Sequence, residues 1–94
     1  MRLKWSFSAL QDLADLRAYI ASDRPRAATG VARRIRQAVE HLEQYPRMGR
    51  PGRVEGTREL IVTDTPYLVA YRIEGDVLVV LRVLHSARKW PERF

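Results

Sequence analysis

The chain has no cysteine, so neither a disulfide nor a thiolate metal site can form. Its two histidines, His41 and His85, are too few for a histidine-built metal centre. No cofactor is expected. The longest apolar run, Val77 to Leu81, is about five residues, far short of a bilayer-spanning helix. The opening MRLKWSFSAL lacks both the apolar stretch and the small-residue cleavage site of a secretory leader. A cytoplasmic protein with no membrane partner is therefore expected. Repeats and low-complexity tracts are absent. Lysine is scarce too: of 17 basic residues only Lys4 and Lys89 are lysines.

What the chain has instead is arginine, a net charge of +6 and an isoelectric point near 10.5. Guanidinium forks bind carboxylates and phosphates in pairs of parallel bonds and stack on flat rings. Two partner classes follow, nucleic acid or an acidic protein. The excess divides evenly between residues 1–45 and 46–94, so no separate basic arm stands out. Ninety-four residues predict one domain, spanning 1–94, with a modest core.

The pattern along the chain predicts the order β-α-α-β-β-β. Leu3, Trp5 and Phe7 alternate with Lys4 and Ser6, as in a half-buried strand. Ser8 is a candidate cap for a first helix, with Gln11 at the capping-box position. Leu10, Leu13, Leu16 and Ile20 follow at helical spacing, leaving Asp12, Asp15 and Arg17 on the wet side. A second helix starts at Asp23 or Arg24 with Pro25 in its first turn. Its stripe is Ala28, Val31, Ile35, Val39 and Leu42. Gly30 inside it suggests close helix packing. The short link between the helices predicts an antiparallel hairpin. Tyr45-Pro46 ends the second helix and opens a Pro- and Gly-rich loop.

Strand character returns at Thr57 to Val62, with a turn at residues 63–66. Tyr67, Val69, Tyr71 and Ile73 share one face of the next strand. A three-residue loop, Glu74-Gly75-Asp76, would place Val77, Val79, Leu81 and Val83 on that same face. The last strand is apolar on both sides, which suggests an interior position. The expected architecture is α+β: a mostly antiparallel sheet with the helix hairpin on one face, and Arg72 and Arg82 on the other.

Arg58, Arg72, Arg82, His85 and Arg88 are the residues that could carry chemistry. Basic groups near a histidine can hold a phosphate and supply a general base. Against this, sheet arginines commonly pair with acids such as Glu59 or Glu74. No nucleophile or second base is visible beside His85. The loop arginines Arg47, Arg50 and Arg53 could touch phosphates or simply be solvated. GRPGR lacks the following helix and the GK[ST] ending of a phosphate-cradling loop. Trp5 reads as core, and Trp90 as packing on the sheet or a partner. Arg33, Arg34 and Arg36 show no helix-turn-helix spacing and read as a solvated helix face.

Several segments together resemble the RelE/ParE superfamily of small bacterial toxins. They are the Trp5 strand, DLADLRAYI from Asp12, the Asp23-to-Ala28 start, PRMGRPG from Pro46, GTREL from Gly56, PYLVAYR from Pro66 and LRVLHSAR from Leu81. The resemblance spans nearly the whole chain and rests on order and spacing. It implies the toxin half of a type II toxin–antitoxin pair, neutralised by a cognate antitoxin through an acidic segment. RelE-like members are ribosome-dependent nucleases of mRNA, and ParE-like members inhibit DNA gyrase. For a nuclease the resemblance points to Arg58, Arg82, His85 and Arg88. For antitoxin or target binding, Arg72, Arg82, Arg88 and Trp90 are the candidates. The terminal Tyr of some nucleases falls at Phe94, which has no hydroxyl, and a further active-site Arg falls near Thr63. These departures favour the ParE-like reading, a gyrase inhibitor rather than an enzyme.

Overall fold

The computed structural model describes residues 1–87 together with Pro91 and Phe94. Its elements are β1 (Arg2–Trp5), α1 (Phe7–Ala21), α2 (Pro25–Gln44), β2 (Arg50–Pro51), β3 (Arg58–Ile61), β4 (Tyr67–Glu74) and β5 (Val77–His85). The sheet order is β1-β5-β4-β3-β2. Only β1 and β5 run parallel; the other pairs are antiparallel. The α+β expectation holds, with β2 added inside the expected loop.

Helix α1 starts earlier than its sequence suggests. Ser6, not Ser8, is the cap, and its hydroxyl accepts the Ala9 N–H at 3.0 Å. The same hydroxyl donates to the Leu81 carbonyl, tying the helix start to β5. Phe7 is therefore the first helical residue, is 80% exposed, and does not extend β1. The buried stripe is Ala9, Leu13 and Leu16 with Ile20 packed beside them, while Leu10 is exposed. Asp12 lies one turn from both Ala9 and Leu16, at the border of this stripe rather than on the wet side. Helix α2 matches its pattern, with Pro25 in its first turn and Ala28, Ala32, Ile35, Val39 and Leu42 buried. Nothing crowds Gly30; a Cβ there would meet no atom within 4 Å. Close packing does not explain that glycine.

The β4–β5 hairpin departs from the expected register. Glu74 pairs with Val77, so the loop has two residues, and Gly75 adopts φ 59° at its first position. Hairpin turns favour glycine there because it has no Cβ to clash at positive φ. The shorter loop turns Leu78 and Val80 toward the core instead of Val77 and Val79. Leu81 then lies between the Tyr71–Val80 and Ala70–Arg82 pairs as an extra residue. This bulge resets the phase, so Val83 again faces the core. Leu68, Ala70, Val79 and Leu81 are also buried, as befits interior strands.

The core joins the α1 and α2 stripes to Tyr67, Val69, Tyr71, Leu78, Val80 and Val83. Ile35 and Leu42 are fully buried, and each contributes about 1.5–3 kcal/mol by leaving water. The loop after α2 is fastened through Tyr71. Its hydroxyl donates to the Pro46 carbonyl at 2.6 Å and accepts the Gly49 N–H at 2.9 Å. Glycine is required at 49 by this approach, since a Cβ would sit 2.6 Å from the tyrosine oxygen. Burial raises the Tyr71 phenol above its ordinary pKa of 10.0, against smaller opposing effects of the Gly49 bond and Arg58.

Candidate functional site

Two sets of arginines stand out among the described residues, and the sheet holds the first. Arg82 grips Asp12 with Nε at 2.6 Å and Nη2 at 3.0 Å. Asp12 also accepts the Val83 N–H at 2.9 Å, on the edge of β5 beyond the end of β1. One carboxylate thus joins α1 to β5 across 70 residues of sequence. Hydrogen bonding to Asp12 is also the main reason the guanidinium holds its proton more tightly than usual. Arg72 pairs with Glu74 at 2.6 Å on the same strand, and both remain largely exposed. Arg50 reaches the buried Glu59 at 3.5 Å, and the other oxygen of Glu59 accepts the Arg53 N–H at 2.7 Å. Arg58 donates to the Gly49 carbonyl at 2.7 Å.

The candidate nuclease residues do not converge. Arg58 pairs with Tyr71, and His85 with Tyr67, on the core face; Arg82 pairs with Ala70 on the opposite face. Strands lie about 4.8 Å apart and advance about 3.3 Å per residue. Two strands over and four pairing steps along, Arg58 and His85 stand roughly 16 Å apart at the backbone. His85 Nδ1 accepts the Ala87 N–H at 3.1 Å, which leaves its proton on Nε2. Its ring meets Tyr67 edge-on at 5.4 Å, in a cleft of about 240 Å³ that Asp12, Asp15, Tyr19 and Arg82 also line. Thr63 sits exposed in the turn before β4, and Phe94 is exposed. Arg88 and Trp90 lie outside the described residues.

Helices carry the second set. Arg17 of α1 and Arg33 and Arg36 of α2 border a cleft of about 330 Å³ with Thr29, Gln37 and Glu40. Among the described residues, none of these three guanidinium groups has a hydrogen bond or an ion pair. Arg34, on another side of α2, is bound to Asp64 at 3.0 Å. Trp5 packs on the core as expected.

Of the residues that organise the sheet set, sequence places Asp12 on the wet side, offers Glu59 only as a partner for sheet arginines and not as a buried one, and shows Tyr71 as core without its loop-fastening hydroxyl. For Asp12 a signal existed, its placement three residues after Ala9 and four before Leu16. Taking Leu10 for a core position hid it. No local pattern marks Glu59 as buried.

A mixed sheet with a helix hairpin on one face is the frame of the RelE/ParE toxin superfamily. Residues 3–90 match the family described as ParE toxin of type II toxin-antitoxin system, parDE. The chain belongs to this family. Y4kP of Sinorhizobium fredii, which carries a toxin name, is 46% identical over 97% of this chain and 94% of its own length. Toxin RelE2 of Caulobacter vibrioides is 36% identical over 89% of this chain and 93% of its own. Among solved structures, a chain of the chromosomal ParDE toxin–antitoxin system of P. aeruginosa superposes with TM-score 0.84 at 28% identity, covering 90% of this chain and 95% of that one. A chain of the toxin-antitoxin complex RelBE2 of Mycobacterium tuberculosis gives TM-score 0.60 at 28% identity, covering 89% and 95%. No helix among the described residues is long and apolar enough to cross a membrane.

Proposed function

We propose that this toxin acts in the cytoplasm, inhibits DNA gyrase when free, and is neutralised by a cognate antitoxin through an acidic segment. The observation that carries the target assignment is the dispersal of the nuclease candidates. Cleaving a phosphodiester needs a base and cations aimed at one phosphate. Here Arg58 and His85 are far apart, and Arg82 is occupied by Asp12. ParE family membership supports the same reading. An antitoxin partner is supported by the solved relatives, which are described as toxin–antitoxin systems, and by the +6 charge. Arg72, Arg82, Arg88 and Trp90 are its proposed contacts; of these, Arg72 offers an exposed guanidinium.

A second reading is favoured by the identity with toxin RelE2: a ribosome-dependent mRNA endonuclease using Arg58, Arg82, His85 and Arg88. One experiment separates the two. The chain is induced in cells for primer extension on mRNA, and the purified protein is added to gyrase in a supercoiling assay. The expected result is lost supercoiling and intact mRNA. His85→Ala should retain growth inhibition if its thermal stability is unchanged. Codon-phased mRNA cuts with unaffected gyrase would overturn the gyrase reading and make the His85 variant inactive.

A further inference from the structure

Apart from Ala32, the residues lining the cleft between the two helices belong neither to the core nor to the contacts proposed above. Arg17 approaches it from α1, and Arg33 and Arg36 from α2. On α2, Arg26, Thr29, Arg33, Arg36 and Glu40 recur at steps of three and four residues, which places them along one exposed stripe. From Arg26 to Arg36 the stripe runs about 15 Å. Among the described residues, the helical arginines bordering the cleft have no acidic partner, although Glu40 lies in the same cleft. The sheet arginines Arg50, Arg72 and Arg82, by contrast, are held by Glu59, Glu74 and Asp12.

The composition of the cleft narrows what it can hold. A protein segment docks through buried apolar anchors, but Ala32 is the only apolar residue lining this cleft among those described. Single-stranded nucleic acid is held by aromatic rings on which bases stack, and none of the described residues lining the cleft is aromatic. What remains is three guanidinium groups with a hydroxyl, an amide and the single carboxylate of Glu40 among them. Arginine, threonine and glutamine are groups that contact phosphate oxygens and set register on a duplex without reading its bases.

We propose that the outer cleft of the helix hairpin, through Arg17, Arg33 and Arg36, binds the phosphate backbone of duplex DNA without sequence preference. The proposal is independent of which target the toxin inhibits. A gyrase poison with this cleft would meet both the enzyme and the duplex the enzyme holds.

The test is a salt titration. The purified full chain is mixed with a fluorescein-labelled random duplex, and anisotropy is read at several salt concentrations. Each arginine–phosphate contact adds roughly 0.9 to the slope of log affinity against log salt. The triple substitution Arg17→Gln, Arg33→Gln and Arg36→Gln should lower that slope by about 2 to 3 and weaken binding at least about tenfold near 0.1 M salt. Glutamine keeps helix propensity, and an unchanged thermal midpoint verifies the fold. Should the triple variant fail to fold, Arg33→Gln and Arg36→Gln singly should each lower the slope by about one. The control removes the same charge elsewhere, with Arg2→Gln, Lys4→Gln and Arg47→Gln, and should shift the slope by less than about one. Equal losses in the two triple variants would reduce the effect to bulk charge and overturn the proposal. So would failure of the parent chain to bind the duplex. Binding of an oligoglutamate peptide by the parent chain, lost in the helix variant, with duplex left unbound, would assign the cleft to an acidic protein instead.

Discussion

Arg82 on β5 and Arg36 on α2 carry the same guanidinium and lead different lives. Arg82 spends its fork on Asp12, which also holds the Val83 N–H, so one carboxylate closes three donors at the seam between helix and sheet. Arg36 has no partner among the described residues and borders an open cleft with Arg17 and Arg33. The sheet set is part of how the molecule stays folded. The helical set adds charge to an already basic chain and returns no stability from pairing. A cluster of unpaired like charges persists at the expense of self-repulsion, which is why the free set rather than the paired one points to a ligand.

That contrast can be broken by stability measurements. The largest effect is expected for Asp12→Ala, which strands the Arg82 guanidinium and the Val83 N–H together. Both partners of the pair are mostly shielded from water, with side chains 29% and 15% exposed. Losing one partner should cost about 2–4 kcal/mol in urea unfolding. A loss below about 0.5 kcal/mol would return Arg82 to the free set and erase the distinction.

A smaller effect is expected for Tyr71→Phe, which removes the hydroxyl that fastens the Pro46–Gly49 loop. The cost at neutral pH should be about 1–2 kcal/mol. The same hydroxyl gives a pH signature. The folded state raises the Tyr71 pKa, so it favours the neutral phenol over the phenolate. The resulting stability is complete below the unfolded value of about 10 and is lost as pH rises from there through the folded value. Above about pH 10 the unfolded chain binds fewer protons at this site, and stability falls with pH. Tyr71→Phe should remove that part of the alkaline decline. An alkaline limb identical in both proteins would refute the assignment.

The smallest effect sharpens the contrast from the other side. Arg33→Gln with Arg36→Gln should change unfolding stability by no more than about 0.5 kcal/mol, as for surface sites without partners. A loss above 1 kcal/mol would show these residues to be structural, and the DNA proposal would lose its premise.

Helix α2 was legible in the sequence because its pattern is long, strictly periodic and started by Pro25. Helix α1 was legible as a helix but not in phase. Leu10 outweighed Ala9 on hydrophobicity, yet Ala9 is the residue the sheet buries completely. The cap moved from Ser8 to Ser6 for a related reason. Ser6 also reaches the Leu81 carbonyl, a contact 75 residues away in sequence. On the last hairpin the expected three-residue loop was one residue too long, and one residue inverts every side chain. The two-residue turn and the Leu81 bulge were settled by cross-strand pairing. For the site, sequence supplied the arginines and the acids Glu59 and Glu74, but not the Asp12 partner of Arg82.

The sequence by itself determined the charge, the absence of thiol chemistry, the helix pair, the apolar interior strands and the superfamily resemblance. Each follows from composition or from a period that repeats within one element. Tertiary structure alone decided which arginines are bound and which are free. A guanidinium is neutralised by whichever carboxylate lies within about 3 Å of it, and for Arg82 that carboxylate is Asp12, brought across 70 residues by the packing of α1 on β5.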